Sequence, residues 1–250
     1  MSVQHSVVTA IYFDVDNTLL DHSSAELQAF ATTCEQFHLT AQYGVGKSAT
    51  DLFATYNAVN LALWERFRAG DLTAAEVKLQ RFEKFLLKEF DFGKAYSIQL
   101  AEDMSSYYLE SYEHFWTLTD GAEELIDAAR NTAATIGIIT NGFVEQQHRK
   151  LRRFGWDTLF DVILISDEVG YPKPHPQMYA IASERAGIAE PHHALMIGDH
   201  YSADITGAKN AGWQTIWFQP DGIARDAENG YSDADSIVES LHDAVALLND

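Results

Sequence analysis

Short apolar runs recur along the chain at 9–13, 135–139, 161–165, 194–197 and 215–218, each ended by polar or glycine-containing punctuation. Runs this short, apolar on both faces and rich in Ile, Val and aromatic residues, read as strands buried between two helical layers. Amphipathic stretches at 143–154, 177–186 and 203–210 lie between them. Strand–helix alternation of this kind implies an α/β fold with a doubly wound parallel sheet.

From about 23 to 115 the alternation stops. Leu27, Phe30, Cys34 and Phe37 fall at helical spacing, as do Leu79, Phe82, Leu86 and Phe90, and Gly44, Gly46, Gly70-Asp71 and Gly93 punctuate the segment into about four or five helices. The expected organisation is an α/β core formed by 1–21 and 116–250, with a helical cap, 22–115, inserted after the first strand. The tail from 233 reads as a last short strand and an amphipathic closing helix.

Composition narrows the classes of partner. The 250 residues hold 37 Asp plus Glu against 17 Lys plus Arg, a formal charge of −20. So acidic a chain argues against nucleic acid or an anionic membrane as partner, and an anionic small substrate needs a local cation to draw it in. The single cysteine, Cys34, cannot form an internal disulfide. The opening residues lack a basic segment followed by an apolar one, and no stretch reaches the ~18 apolar residues of a membrane span, so a cytoplasmic location is expected.

Chemistry concentrates at the carboxyl ends of the expected strands, where open α/β sheets bind their ligands. The first strand ends in Phe13-Asp14-Val15-Asp16-Asn17-Thr18. Two carboxylates so placed repel unless a cation or proton holds them, although, read alone, Asp16-Asn17 is equally a turn and Asp14 a helix cap. The second ends in Thr140-Asn141-Gly142. Its hydroxyl, amide and backbone N–H groups at a helix start form an anion cradle, or equally an N-cap and glycine turn. The third leads to Lys173, stiffened by Pro172 and Pro174, which is either a cation for clustered carboxylates and phosphate or a solvated loop lysine. The fourth ends in Gly198-Asp199, with Asp204 opening the next helix; hard carboxylate oxygens there suit Mg²⁺. Four such features at successive strand ends weigh more than any one of them.

Together Asp14-x-Asp16-x-Thr18, Thr140, Lys173 and Gly198-Asp199-x-x-x-x-Asp204 resemble the haloacid dehalogenase (HAD) superfamily over essentially the whole chain, in family order. The resemblance implies that Asp14 is the nucleophile that becomes an aspartyl phosphate, and that Asp16 is the general acid and later the general base. It also implies that Thr140, Asn141 and Lys173 bind phosphate. Mg²⁺ would be held by Asp14, Asp199 and the backbone carbonyl of Asp16, with Asp204 supporting Lys173 or a metal-bound water. Dehalogenases of the superfamily lack the second aspartate, so Asp16 favours phosphoryl transfer to water. The strings 58–64, which include Asn60 and Trp64, and Arg81-Phe82-Glu83 resemble bacterial 5′-nucleotidases of the superfamily that act on pyrimidine and noncanonical nucleoside monophosphates. The implied partner is therefore a small phosphorylated molecule, a nucleoside monophosphate before a sugar phosphate, N-acylneuraminate 9-phosphate or phosphoglycolate. A phosphomutase, a dehalogenase and a non-catalytic protein that kept the fold are the remaining alternatives.

Other residues read as structural. Asn60 and Trp64, at i and i+4, either present an amide and a stacking surface on one helix face or, the preferred reading, Trp64 packs within the cap, and Trp116, Trp156, Trp213 and Trp217 are expected to pack. His22 and His200 are expected to be exposed or capping groups, and His192-His193 a solvated pair. The run Lys150, Arg152, Arg153 is read as charge compensation at a helix C-terminus.

Overall fold

A computed structural model describes residues 8–42, 46–90, 93–133, 135–220 and 233–249; residues 1–7, where no leader segment is expected, and Gly44 lie outside that set. The chain divides into two compact units, Met1–Asp21 with Thr117–Asp250, and His22–Trp116.

The first unit is built on six parallel strands: β1 (Ala10–Phe13), β2 (Thr135–Thr140), β3 (Val162–Ile165), β4 (Ala194–Gly198), β5 (Gln214–Phe218) and β6 (Ser236–Val238), in the order β3-β2-β1-β4-β5-β6. β1 sits between β2 and β4, with Phe13 level with Ile138 on one side and Ile197 on the other. The order of strands reverses there, so the carboxyl ends of these strands border the crevice of an open α/β sheet.

Alternation along β1 explains why its strand is apolar at every position. Ile11 and Phe13 join a core with Ile138, Leu151, Phe160 and Ile197, whereas Ala10 and Tyr12 join a second core with Ile139, Tyr179, Met196 and Trp213. A large ring in so tight a sheet needs a gap beside it. Gly137 leaves that gap, since a Cβ there would stand 2.4 Å from Tyr12 Cε1. The buried Tyr12 hydroxyl then donates to the Ala182 carbonyl at 2.7 Å.

Where the sequence suggests one helix at 203–210, the chain forms a π-helical turn, Tyr201–Thr206, followed by a short α-helix, Gly207–Asn210. Gly207 lets this segment lie against Tyr179, whose hydroxyl donates to the Ala203 carbonyl within the π turn. The expected tail is present as β6 and a closing helix, Leu241–Asn249, packed on helix Ala122–Thr132.

The second unit is helical: α1 (His22–Gln36), α2 (Leu39–Gln42), α3 (Ala49–Arg68), α4 (Ala74–Glu89) and α5 (Lys94–His114). Two of these starts are written in the sequence as capping boxes, Ser48 with Asp51 and Thr73 with Glu76. Aromatic packing holds the unit together, with Phe30 against Tyr56 and Phe85, and Tyr56 against Phe82 and Tyr108.

Candidate active site

Asp14 leaves β1 with its N–H still bonded to the Ile197 carbonyl of β4, 3.0 Å, so the sheet itself fixes the backbone that carries this carboxylate. Lys173 reaches it from the loop after β3. The buried ammonium lies 2.8 Å from Asp14 Oδ1 and 2.6 Å from Asp204 Oδ1. Asp199, at the end of β4, completes the group: oxygens of Asp14, Asp199 and Asp204 lie within 4.8 Å of one another. Thr18 donates to Asp199 Oδ1 at 3.2 Å, and Trp217 donates its indole N–H to the Asp199 carbonyl at 2.8 Å. Trp217 therefore anchors the aspartate backbone as well as packing.

Gly198 is required by Asp204. A Cβ on residue 198 would come 2.4 Å from Asp204 Oδ2, which accepts from the His200 N–H at 3.0 Å. Asp204 is thus wedged against β4 while its other oxygen faces Lys173.

The electrostatics follow from three carboxylates around one lysine. Burial raises Asp14 from 3.8 to about 7; Lys173 pulls it down, and Asp204 and Asp16 push it up. Asp199 is also raised, by burial first and then by Asp14 and Asp204. Burial opposes the charge on Lys173, yet Asp14 and Asp204 carry its pKa above the ordinary lysine value. One cation facing three acids leaves negative charge uncompensated. A divalent cation bound by oxygen ligands fits such a set.

The end of β2 differs from the expected anion cradle. Thr140 is buried, and its hydroxyl oxygen accepts from Gln147 Nε2 at 2.8 Å, which leaves its own proton for another acceptor. The Asn141 amide, by contrast, clasps the Lys173 backbone, accepting from its N–H at 2.8 Å and donating to its carbonyl at 3.0 Å. This side chain fixes the lysine loop. The N–H groups of Gly142 and Val144 are bonded to Ser166 Oγ, 3.2 Å, and Asp167 Oδ2, 3.1 Å. These two N–H groups are thus bonded to side chains of the Ser166–Val169 helical turn.

The Asp16 side chain turns toward the helix α7 (Val144–Arg153), which follows α6 (Ala122–Thr132) in the chain. Its Oδ1 pairs with Lys150 Nζ at 2.5 Å, and its Oδ2 accepts from Gln147 Nε2 at 2.9 Å. This corrects the reading of Lys150. Arg152 and Arg153 are exposed at the helix end as expected, but Lys150 is 1% exposed and faces inward. Gln147 and Lys150 are the polar site residues that sequence reasoning passed over.

A family model for haloacid dehalogenase-like hydrolases matches residues 8–212. The chain belongs to this family. It is 34% identical over 245 residues to the pyrimidine 5′-nucleotidase YjjG of Escherichia coli K12, covering 95% of this chain and 96% of that protein. It is 29% identical to the pyrimidine 5′-nucleotidase PynA of Streptococcus pneumoniae R6, over 84% of this chain and 83% of that protein. Among solved structures, the HAD-hydrolase YfnB of Bacillus subtilis bound to magnesium matches with a TM-score of 0.79 at 27% identity, over 98% of this chain and all of that one.

Within this HAD-like hydrolase the remaining candidates occupy structural positions. His200 accepts the Ala203 N–H at the start of the π turn. In the helical unit, His22 Nδ1 meets the Tyr112 hydroxyl at 2.5 Å. Asn60 is buried and donates to Glu26 Oε1 at 3.0 Å, so the amide faces inward. Arg81 is buried too, its guanidinium 4.5 Å from the centre of the Tyr108 ring. Trp64 is half-buried and meets Phe67 edge-on. No helix among the described residues is long and apolar enough to cross a membrane.

Proposed function

We propose that this protein is a Mg²⁺-dependent phosphomonoester hydrolase working through an aspartyl phosphate on Asp14, with pyrimidine nucleoside 5′-monophosphates as its substrate class. The observation that carries the reading is the Lys173 ammonium seated between Asp14 and Asp204, with Asp199 beside them. Any buried carboxylate needs a partner of opposite charge, but a nucleophilic one that must also meet a phosphate dianion needs more, because each like-charged neighbour repels by about 4 kcal/mol at 4 Å and an effective dielectric constant of ~20.

Asp14, Asp199 and the backbone of Asp16 are the groups that would hold Mg²⁺, which when bound supplies charge neutralisation for the phosphoryl oxygens. The chain's own residues perform the rest. Lys173 keeps an oxygen of Asp14 fixed and presents positive charge to the phosphoryl group. Thr140 donates its hydroxyl proton to a phosphoryl oxygen. Asp14 attacks phosphorus in line while the bond to the leaving oxygen breaks, and Asp16 gives that oxygen its proton. Asp16 then takes a proton from water as the water attacks phosphorus, releasing phosphate and regenerating the Asp14 carboxylate.

The likeness to YjjG over nearly the full length of both chains supports the choice of substrate class. The presence of Asp16 favours phosphoryl transfer over dehalogenation. The test is a panel of phosphomonoesters under saturating Mg²⁺. Preference for UMP, dUMP or dTMP, lost in Asp14→Asn with the fold intact, is the expected result. Preference for a sugar phosphate would replace the substrate class. Wild-type turnover by Asp14→Asn would end the nucleophile assignment.

A further inference from the structure

Helix α7 buries Gln147, Lys150 and Leu151 on one face. Leu151 belongs there; a lysine does not. Taking an ammonium out of water costs several kcal/mol unless a partner of opposite charge and good geometry offsets it. The partner is Asp16, at 2.5 Å. Gln147, one turn earlier on the same face, donates from a single amide nitrogen to both Asp16 Oδ2, 2.9 Å, and Thr140 Oγ1, 2.8 Å. Each oxygen of the Asp16 carboxylate thus has a named donor on α7. The rotamer of Asp16 is set by this helix.

The arrangement reaches back to a glycine. A Cβ at Gly142 would stand 2.7 Å from Gln147 Cγ and Nε2, so the turn leading into α7 is shaped around the glutamine side chain. On the other side, Asn17 adopts a positive φ of 62° and its N–H bonds to the Leu20 carbonyl at 2.8 Å, which closes the turn carrying Asp16. Backbone and side chain of Asp16 are therefore fixed by separate devices.

From this geometry we infer that Lys150 and Gln147 are positioning residues for Asp16: they hold the carboxylate that exchanges the proton of the leaving oxygen, and Gln147 ties it to the hydroxyl of Thr140. The inference rests on the reading of Asp16 as the proton donor. Neither residue touches the reacting atoms: Lys150 acts through Asp16, and Gln147 through both Asp16 and Thr140. Removal of Lys150 should therefore injure only substrates whose leaving group needs a proton.

The experiment measures kcat/KM for a series of phosphomonoesters from p-nitrophenyl phosphate, whose leaving group departs unprotonated, to a nucleoside monophosphate, whose leaving group does not. This ratio ends with formation of the aspartyl phosphate, so the later hydrolysis does not enter it. The variants are Lys150→Met, Asp16→Asn and the double substitution, each checked by thermal unfolding. General acid catalysis is worth about 10²–10⁴-fold, so Lys150→Met should lose at least about tenfold on the nucleotide and stay within about threefold on p-nitrophenyl phosphate. In the Asp16→Asn background the same change should cost nothing further. Equal losses across the series, or a full additional loss in the double variant, would overturn the positioning role while leaving Asp16 in place. A flat response of Asp16→Asn itself would instead remove the proton-donor reading. Should Lys150→Met fail to fold, Lys150→Gln carries the same comparison, with the same steepening expected and the same flat profile counting against it.

Discussion

Replacing Lys173 by Met removes the one cation from the carboxylate group while keeping most of the side chain's bulk. Asp14 and Asp204 lose a partner at 2.8 and 2.6 Å respectively, and their oxygens remain within 4.8 Å of one another and of Asp199. At that separation two carboxylates repel by about 3.5 kcal/mol at an effective dielectric constant of ~20. Breaking a buried pair by deleting one partner costs about 3–5 kcal/mol in general. The protein can escape part of this cost by taking up a proton, which sets a ceiling that depends on pH. For a carboxyl whose unfolded value is 3.8, protonation at pH 5 costs about (5 − 3.8) × 1.36, or roughly 1.6 kcal/mol. At pH 8 the ceiling is about 5.7 kcal/mol by the same arithmetic. The sign follows from burial. Asp14 already titrates at about 7, above its unfolded value, and loss of the lysine raises it further. Its contribution to stability is therefore complete below about 3.8 and drains away as the pH rises through the folded value. Urea unfolding of both proteins in EDTA should show the variant weaker by about 3–5 kcal/mol at pH 8 and by less than about 2 kcal/mol at pH 5. The same deficit at both pH values, or none at pH 8, would refute the view that Lys173 holds an otherwise self-repelling cluster.

Three further outcomes test separate parts of the reading. Gly198→Ala forces a Cβ to within 2.4 Å of Asp204 Oδ2, so it should cost about 1–3 kcal/mol in thermal unfolding and lower kcat more than it raises KM. Magnesium should raise the melting temperature of the native protein at pH 8 by mass action and leave Asp199→Asn unmoved in the same scan; an undiminished shift in the variant would take Asp199 out of the metal site. Thr73→Ala deletes one capping box of the helical unit and should cost about 1 kcal/mol, with kcat/KM on a nucleotide unchanged.

The strands and the cluster of acids were legible for different reasons. β1 to β5 are buried on both faces, so each announces itself as a continuous apolar run, and chemistry placed just beyond such a run lies at a strand end by construction. That is why Asp14 and Asp199 stand out as strand-end carboxylates, whereas Lys173, separated from β3 by the Ser166–Val169 helical turn, is singled out by the resemblance of the whole motif set. The interior of the π turn could not, because the pattern of 201–210 satisfies either helical form and the choice falls to Tyr179 packing against Gly207. A glycine at a helix start permits the N–H groups after Thr140 to face an anion or to close a capped turn, and the local sequence does not choose between the two. Ser166 and Asp167, more than 20 residues further along, claim two of them, and no local pattern announces that.

The misreading of Lys150 has a different origin, and it shows where the missing signal lay. Charge was read by composition: three basic residues near a helix end suggest compensation of the helix dipole. Periodicity separates them. Positions 143, 147, 150, 151 and 154 form one stripe of α7, and Phe143, Leu151 and Phe154 mark it as the inward one. Arg152 and Arg153 fall off the stripe, whereas Gln147 and Lys150 fall on it. A polar residue on the inward stripe must either disrupt the helix packing or meet a buried partner of matching chemistry. In a core whose strand ends carry carboxylates, the available partner for a buried lysine is one of those acids, and the structure supplies Asp16. Polar residues that interrupt the apolar stripe of the helices beside β1 are thus as informative as the motif positions themselves.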